Sequence, residues 1–427
     1  MKNRLSKTAQ SSIGLLLLSR LFERVAFYLL LSILVNYFTE KLQPGMKNIS
    51  INYSLFMGAM MITTFFSGLL GDLRNRNKVV ITGLVLLTAM YLGVPFLPGV
   101  NFLLIAAFVV LGVGIGLTTP NMVVLLGNIY NEKENEIRGL PGFILFTFMA
   151  ELGGVLAPLI TGFLKPRWGF TPIFLLAAAC GLAALLLFLQ FSRKYLISHP
   201  AAAQQHNQPS VSMRKLQKVI LLSVLITALM AHLSLQLRGT TLVMALKDLT
   251  GMGAELSSMV VPMEMYLLPL LMLLFFVWVT RIRSMHWGRI FQMMLLGLAF
   301  AIVGYLTFAG FTSLQEVIGE KFIIYPSYSF LLIAESMLAS TFLYAVYRSS
   351  PMKHKGLFQG IYYTVLAVAG GLLFTGKSLY EKLGPMVFMI VAGLLLINAI
   401  VLLWAKRSIT KKNKEINPYN NENIVEN

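Results

Sequence analysis

The chain has 427 residues, 57% of them hydrophobic and 12% charged, with a mean hydropathy of +0.74. A soluble globular domain carries roughly 25% charged residues, so the composition excludes one and indicates a polytopic membrane protein. The formal charge of +18 does not point to nucleic acid: with a cytoplasmic N-terminus, about 24 of the 35 Lys and Arg fall on one side of the apolar runs and about 8 on the other, as the positive-inside rule requires.

About twelve runs reach the roughly 20 apolar residues that a helix needs to cross a bilayer. Their approximate limits are 13–38, 52–71, 79–97, 102–128, 140–164, 169–191, 218–238, 257–280, 290–312, 325–349, 357–376 and 386–405. The expected product is an all-α membrane protein with both termini cytoplasmic. In the first run Arg20, Glu23, Arg24 and Phe27 recur at helical spacing and share one face, which must look away from lipid because ionised groups at mid-membrane cost about 2.5–3.5 kcal/mol each. The loop 39–52 that follows contains two glycosylation-type triplets, at Asn48 and Asn52.

Between the second and third runs lies Gly68-Leu-Leu-Gly71-Asp72-Leu-Arg74-Asn-Arg76, which resembles the loop signature of major-facilitator transporters. An acid at one helix end and bases at the next can pair, hold one conformational state and release it; Asp72 and Arg76 are the candidate gating pair. Gly112, Gly114, Gly116 and Pro120 in the fourth run, and Gly153, Gly154, Pro158 and Gly162 in the fifth, serve either close helix packing or bending at a gate. Cys180 is the only cysteine, so neither a disulfide nor a thiolate metal site forms within one chain. No phosphate loop, zinc spacing or hydrolase elbow is present, and neither an enzyme nor a cofactor is expected.

The polar stretch 193–217 separates residues 1–192 from 218–406, six runs in each, and 407–427 reads as a disordered tail. Two six-helix halves joined by a cytoplasmic linker resemble the major-facilitator plan, whose substrate sites lie at mid-membrane. The seventh run carries His232 and Gln236 at i, i+4, with Arg238 near its outer end. Glu264 falls near the start of the eighth, and Glu335 within the tenth.

Several of these stretches together resemble the proton-coupled oligopeptide transporter family. Its first-helix motif, Glu-x-x-Glu-Arg-Phe-x-Tyr-Tyr, aligns with Arg20-Leu-Phe-Glu23-Arg24-Val25-Ala-Phe27-Tyr28. Thr119-Pro120-Asn121, the Glu151-to-Gly162 stretch, Gln236 with Thr240 and Thr241, Pro262 with Pro269, and Glu335 follow in the family's order. Departures are equally specific: Arg20 replaces a Glu, Thr119 a Lys, Leu31 an Arg, Glu151 an Asn and Val261 an Asn.

The resemblance implies a secondary transporter of a peptide or another amine-bearing solute, with Glu335 receiving the substrate's ammonium. Glu151, Tyr28, Gln236, Asn121 and Glu264 are the further substrate-binding candidates, and Glu23, Arg24 and Arg20, with Asp72 and Arg76, the coupling or gating candidates. Tyr266, Tyr344 and Tyr347 are further pocket candidates. Proton symport, export of drugs or metabolites, and a non-transporting scaffold remain alternatives. Glu23, between two guanidiniums, is expected to act as a structural ion-pair partner; if a proton drives transport, the expected carrier is Glu151. The expected partners are a small-molecule substrate and the lipid bilayer, with protons an open case, and the expected state is a monomer in the cytoplasmic membrane.

Overall fold

The computed structural model describes residues 7–42, 46–97, 101–130, 139–198, 215–242, 245, 247, 263–282, 284–311, 321–371 and 373–416. Thirteen α-helices run through them: α1 Lys7–Leu42, α2 Met46–Leu73, α3 Arg76–Gly93, α4 Asn101–Tyr130, α5 Gly139–Trp168, α6 Thr171–Ser198, α7 Lys215–Leu237, α8 Leu268–Thr280, α9 Trp287–Phe311, α10 Lys321–Ser349, α11 Lys355–Gly371, α12 Leu373–Leu383 and α13 Met386–Ile416. Backbone groups in lipid must be satisfied within the segment, which is why such apolar runs resolve as helices. Ten of the helical segments are long and apolar enough to cross a membrane. The charged α1, together with α11 and α12 in succession, accounts for a reading of about twelve crossings.

Helix ends differ from the sequence expectation where loops were drawn too long. α1 extends to Leu42 and α2 begins at Met46, so the triplet at Asn52 lies inside a helix, with Asn52 itself only 6% exposed. That burial removes it as a glycosylation acceptor. Likewise α6 runs on to Ser198. Pro262 and Val261 lie outside the described residues, as do most of the linker and the tail.

The chain divides into two compact units. The first is Met1–Val211 with Ser350–Thr364, the second Ser212–Ser349 with Val365–Asn427. In the first unit α1 packs on α5 and α6, and α4 on α2 and α3. The glycines explain how closely: a Cβ at Gly112 would meet the Phe56 carbonyl, one at Gly116 the Thr63 side chain, and one at Gly153 the Arg24 side chain and Val25 amide. These are small-residue helix contacts, whereas Gly162 and Gly370 face open space. Cys180 is buried within α6. In the second unit α9 packs on α10 and α13, and α7 on α10. Two π turns interrupt its helical order, Arg238–Leu242 after α7 and Met263–Leu267 before α8. Such turns are frequent at functional sites because they swing side chains out of helical register.

Candidate functional site

Three polar clusters stand out against the apolar helices. In the first unit, α1 presents Arg20, Glu23 and Arg24 on one face. Arg20 Nη1 donates to Glu23 Oε2 at 2.9 Å and Arg24 Nε to the same oxygen at 2.7 Å, while Arg24 Nη2 pairs with Oε1. Thr118 Oγ1 reaches Glu23 Oε1 at 3.5 Å, and Thr119 Oγ1 accepts from Arg20 and Arg24 at 3.4 and 3.5 Å. The cations also lie over rings, Arg20 over Phe146 at 4.8 Å and Arg24 over Phe27 at 4.5 Å. Side-chain exposure is 5% for Arg20, 0% for Glu23 and 9% for Arg24. The Glu23 carboxylate is thus held by two guanidiniums and sealed from solvent.

Tyr28 stands one turn further on, half-buried beside Phe27, with Gly154 of α5 in contact distance of its ring. Glu151, half-buried on α5, is within electrostatic reach of the same phenol. Asn121 engages its neighbours through its amide nitrogen. It is fully buried, and its Nδ2 donates to the Ser67 and Leu117 carbonyls at 3.1 and 3.0 Å. Both amide hydrogens therefore hold α4 to α2 and to itself.

The second cluster, also in the first unit, is built on Asp72. Asn75 caps α3 by accepting from the Asn77 and Lys78 amides, which sets Arg76 in the first turn. There Arg76 pairs with Asp72. The Asp72 carboxylate also accepts the Gly356 and Leu357 amides at 2.9 and 2.7 Å, so it caps the N-terminus of α11, whose dipole favours an anion. Gly68 and Gly356 allow the approach, since a Cβ on either would run into the other's carbonyl. Lys355, next to this cap, is 4% exposed. Burial, with the Arg76 charge adding to it, pushes its ammonium down to about 7.

The third cluster lies in the second unit. Arg238, at the start of its π turn, contacts Glu335 of α10 at 2.6 Å and Glu264, on the other π turn, at 3.1 Å through Nη2 and 3.2 Å through Nε. Tyr328 donates its hydroxyl to Glu264 Oε1 at 2.6 Å, and its ring lies 5.3 Å from the Arg238 guanidinium carbon. Arg238 is sealed at 8% exposure, whereas Glu264 and Glu335 keep 39% and 27%.

The geometry thus brings Glu335 and Glu264 together, and Glu23, Arg24 and Arg20 together, but not all six substrate candidates. Gln236 is exposed on α7, while His232 is buried with its ring 5.9 Å from Phe342; the two do not share an environment. Tyr344 and Tyr347 are buried and Tyr266 is 58% exposed. Sequence reasoning left Arg238 and Tyr328 without a role. The signal for Arg238 was present: two acids inside apolar runs of one half need a base, and Arg238 closes the run 218–238.

Comparison with known proteins places the chain. The family model described as Major Facilitator Superfamily matches residues 16–375. Among curated relatives, an uncharacterised transporter, YclF of Bacillus subtilis strain 168, is 28% identical over 188 residues, 42% of this chain and 37% of that protein. The matched stretch therefore spans less than half of that relative's length. A solved POT family transporter in complex with 5-aminolevulinic acid superposes with a TM-score of 0.63 at 17% identity, covering 95% of this chain and 100% of the other. A bacterial homologue of the iron transporter ferroportin, outward-facing with soaked iron, gives 0.70 at 16% identity, with 92% and 98% covered. At those identities the structural matches establish the fold, and the family model establishes the membership: this chain belongs to the Major Facilitator Superfamily.

Proposed function

We propose that the protein moves a small amine-bearing solute, peptides among them, across the cytoplasmic membrane by alternating access, as a monomer with both termini in the cytoplasm. The carrying observation is the pair of partly exposed carboxylates, Glu264 and Glu335, held around one sealed Arg238. Charged groups in a membrane interior mark substrate or ion paths, and an open carboxylate in such a place recognises a cation. Support also comes from the solved POT family transporter, whose bound 5-aminolevulinic acid carries an amine. The lopsided distribution of Lys and Arg supports the orientation.

Thermal unfolding of the purified protein against dipeptides, tripeptides, free amino acids and polyamines tests the reading. At least one amine should stabilise the protein and be taken up by proteoliposomes, and Glu335→Gln should weaken both effects at least tenfold, the cost of about 1.4 kcal/mol. Stabilisation by no amine, or an undiminished response in Glu335→Gln, rejects it.

A further inference from the structure

We propose that the Arg238 cluster carries one surplus negative charge that takes either a proton or the substrate's ammonium, never both, so that the protein exchanges an amine for a proton across the membrane. The inference rests on the amine reading above and adds to it the coupling ion, its sense and the residues that share it.

Charge counting carries the argument. Glu264 and Glu335 are two carboxylates and Arg238 is one guanidinium, which leaves one negative charge uncompensated. Arg238 spans the pair, with Nη1 on Glu335 and Nη2 and Nε on Glu264. The surplus therefore belongs to both acids, and a cation docking on either side releases Arg238 toward the other. Groups on the surrounding elements do not supply the missing charge among the described side chains. Tyr328 of α10 donates a hydrogen bond, Tyr305 of α9 is engaged with the Ser234 carbonyl, and His232 of α7 packs against Phe342. Tyr266, on the Glu264 π turn, is exposed. α12 meets the Arg238 π turn through Gly376, whose Cα faces Leu237 and Thr241, and Lys377 follows it in sequence.

A surplus charge among membrane helices is costly even where the acids are partly open, so one added positive charge stabilises the cluster. A proton on either carboxyl group completes the neutral set. An ammonium does the same with both carboxylates ionised, and then no uncompensated charge is left to favour a proton. The balance is simple: one ammonium enters, one carboxyl O–H bond gives up its proton, and the site returns to neutrality in both states. By linkage, the proton weakens amine binding as much as the amine weakens proton binding. The assignment puts the proton on second-unit acids rather than on Glu151. The first-unit trio cannot do this, because Glu23 is at 0% exposure between two cations.

Calorimetric titration of the purified full chain in buffers of different ionisation enthalpy tests it, with phenylethylamine and dialanine as probes. Over the pH range in which acid weakens binding, about one proton should leave per amine bound and apparent affinity should fall about tenfold for each unit of acidification. In proteoliposomes an acid lumen should drive amine accumulation. Glu264→Gln should abolish proton release and amine binding as fully as Glu335→Gln does, although it leaves the Arg238–Glu335 contact in place; a thermal unfolding midpoint close to the parent's shows that the variant is folded. Amine binding without proton release, or accumulation driven by acid outside, overturns exchange while leaving the amine reading intact. Retained binding and proton release in folded Glu264→Gln overturns the shared charge. Binding of neither probe at any pH removes the amine reading, and the exchange falls with it.

Discussion

The two units each bury a charged trio, and the trios are opposite in both sign and access. In the first, two arginines enclose one glutamate and all three are sealed; in the second, two glutamates flank one arginine and the acids are partly open. The difference teaches that an intramembrane charge is not by itself a binding site. What matters is whether the minority charge satisfies the majority and which partner is left facing solvent. On the proposed reading, a closed cluster with its acid at the centre serves as architecture, and an open one with its base at the centre is available for chemistry.

The comparison breaks most readily at Glu23. Glu23→Gln strands two buried guanidiniums, and removing one partner of a buried pair costs about 3–5 kcal/mol; thermal unfolding in detergent should show a large loss, with poor recovery of folded protein. Glu264→Gln in the second unit should unfold close to the parent, since Arg238 keeps Glu335. Equal losses at the two sites would remove the distinction between architecture and chemistry.

Glycine contacts sharpen it next. A Cβ at Gly356 runs into the Gly68 carbonyl, part of the backbone, whereas one at Gly297 meets only the Leu338 side chain. Overpacking costs about 1–3 kcal/mol when the neighbour cannot move. Gly356→Ala should therefore lower the unfolding midpoint of the protein clearly more than Gly297→Ala, where the leucine can change rotamer.

The remaining effect concerns pH. Lys355 titrates near 7 when folded against an ordinary value of 10.5, so between those values the unfolded chain binds more protons than the folded one. Stability must then rise with pH across that window, by at most about 1.4 kcal/mol per unit, and the penalty is complete below the lower value. Unfolding midpoints of wild type and Lys355→Met, measured from neutral to alkaline pH, should diverge in slope, with the variant flatter. Parallel slopes would mean that Lys355 is not the group responsible. The first unit thus shows its pH dependence as stability, and the second as ligand affinity.

Much of this was legible in the sequence. Run length gives the helices, and the helical spacing of Arg20, Glu23 and Arg24 gives their shared face. The pairing of Asp72 with Arg76 follows from a four-residue separation. The rest depended on tertiary placement. Nothing in the residues around Asn121 distinguishes a substrate contact from a bond to the Ser67 carbonyl 54 positions away. The π turns that bring Arg238 to Glu264 across 26 positions follow from packing, since helix periodicity alone rotates both side chains elsewhere.

The Asp72 cap on α11 has a consequence for how such a protein varies. One end of that contact is a carboxylate, and the other is two main-chain amides, Gly356 and Leu357. Every residue but proline supplies the same amide, so the partner end places no demand on side-chain identity beyond what Gly356 needs for room. Correlated substitution reports contacts between pairs of side chains, and here one member of the pair is missing. In an alignment, position 72 should therefore covary with its side-chain partner Arg76 but with no position of α11, and a contact map drawn from covariation would omit this polar tie between α2 and α11.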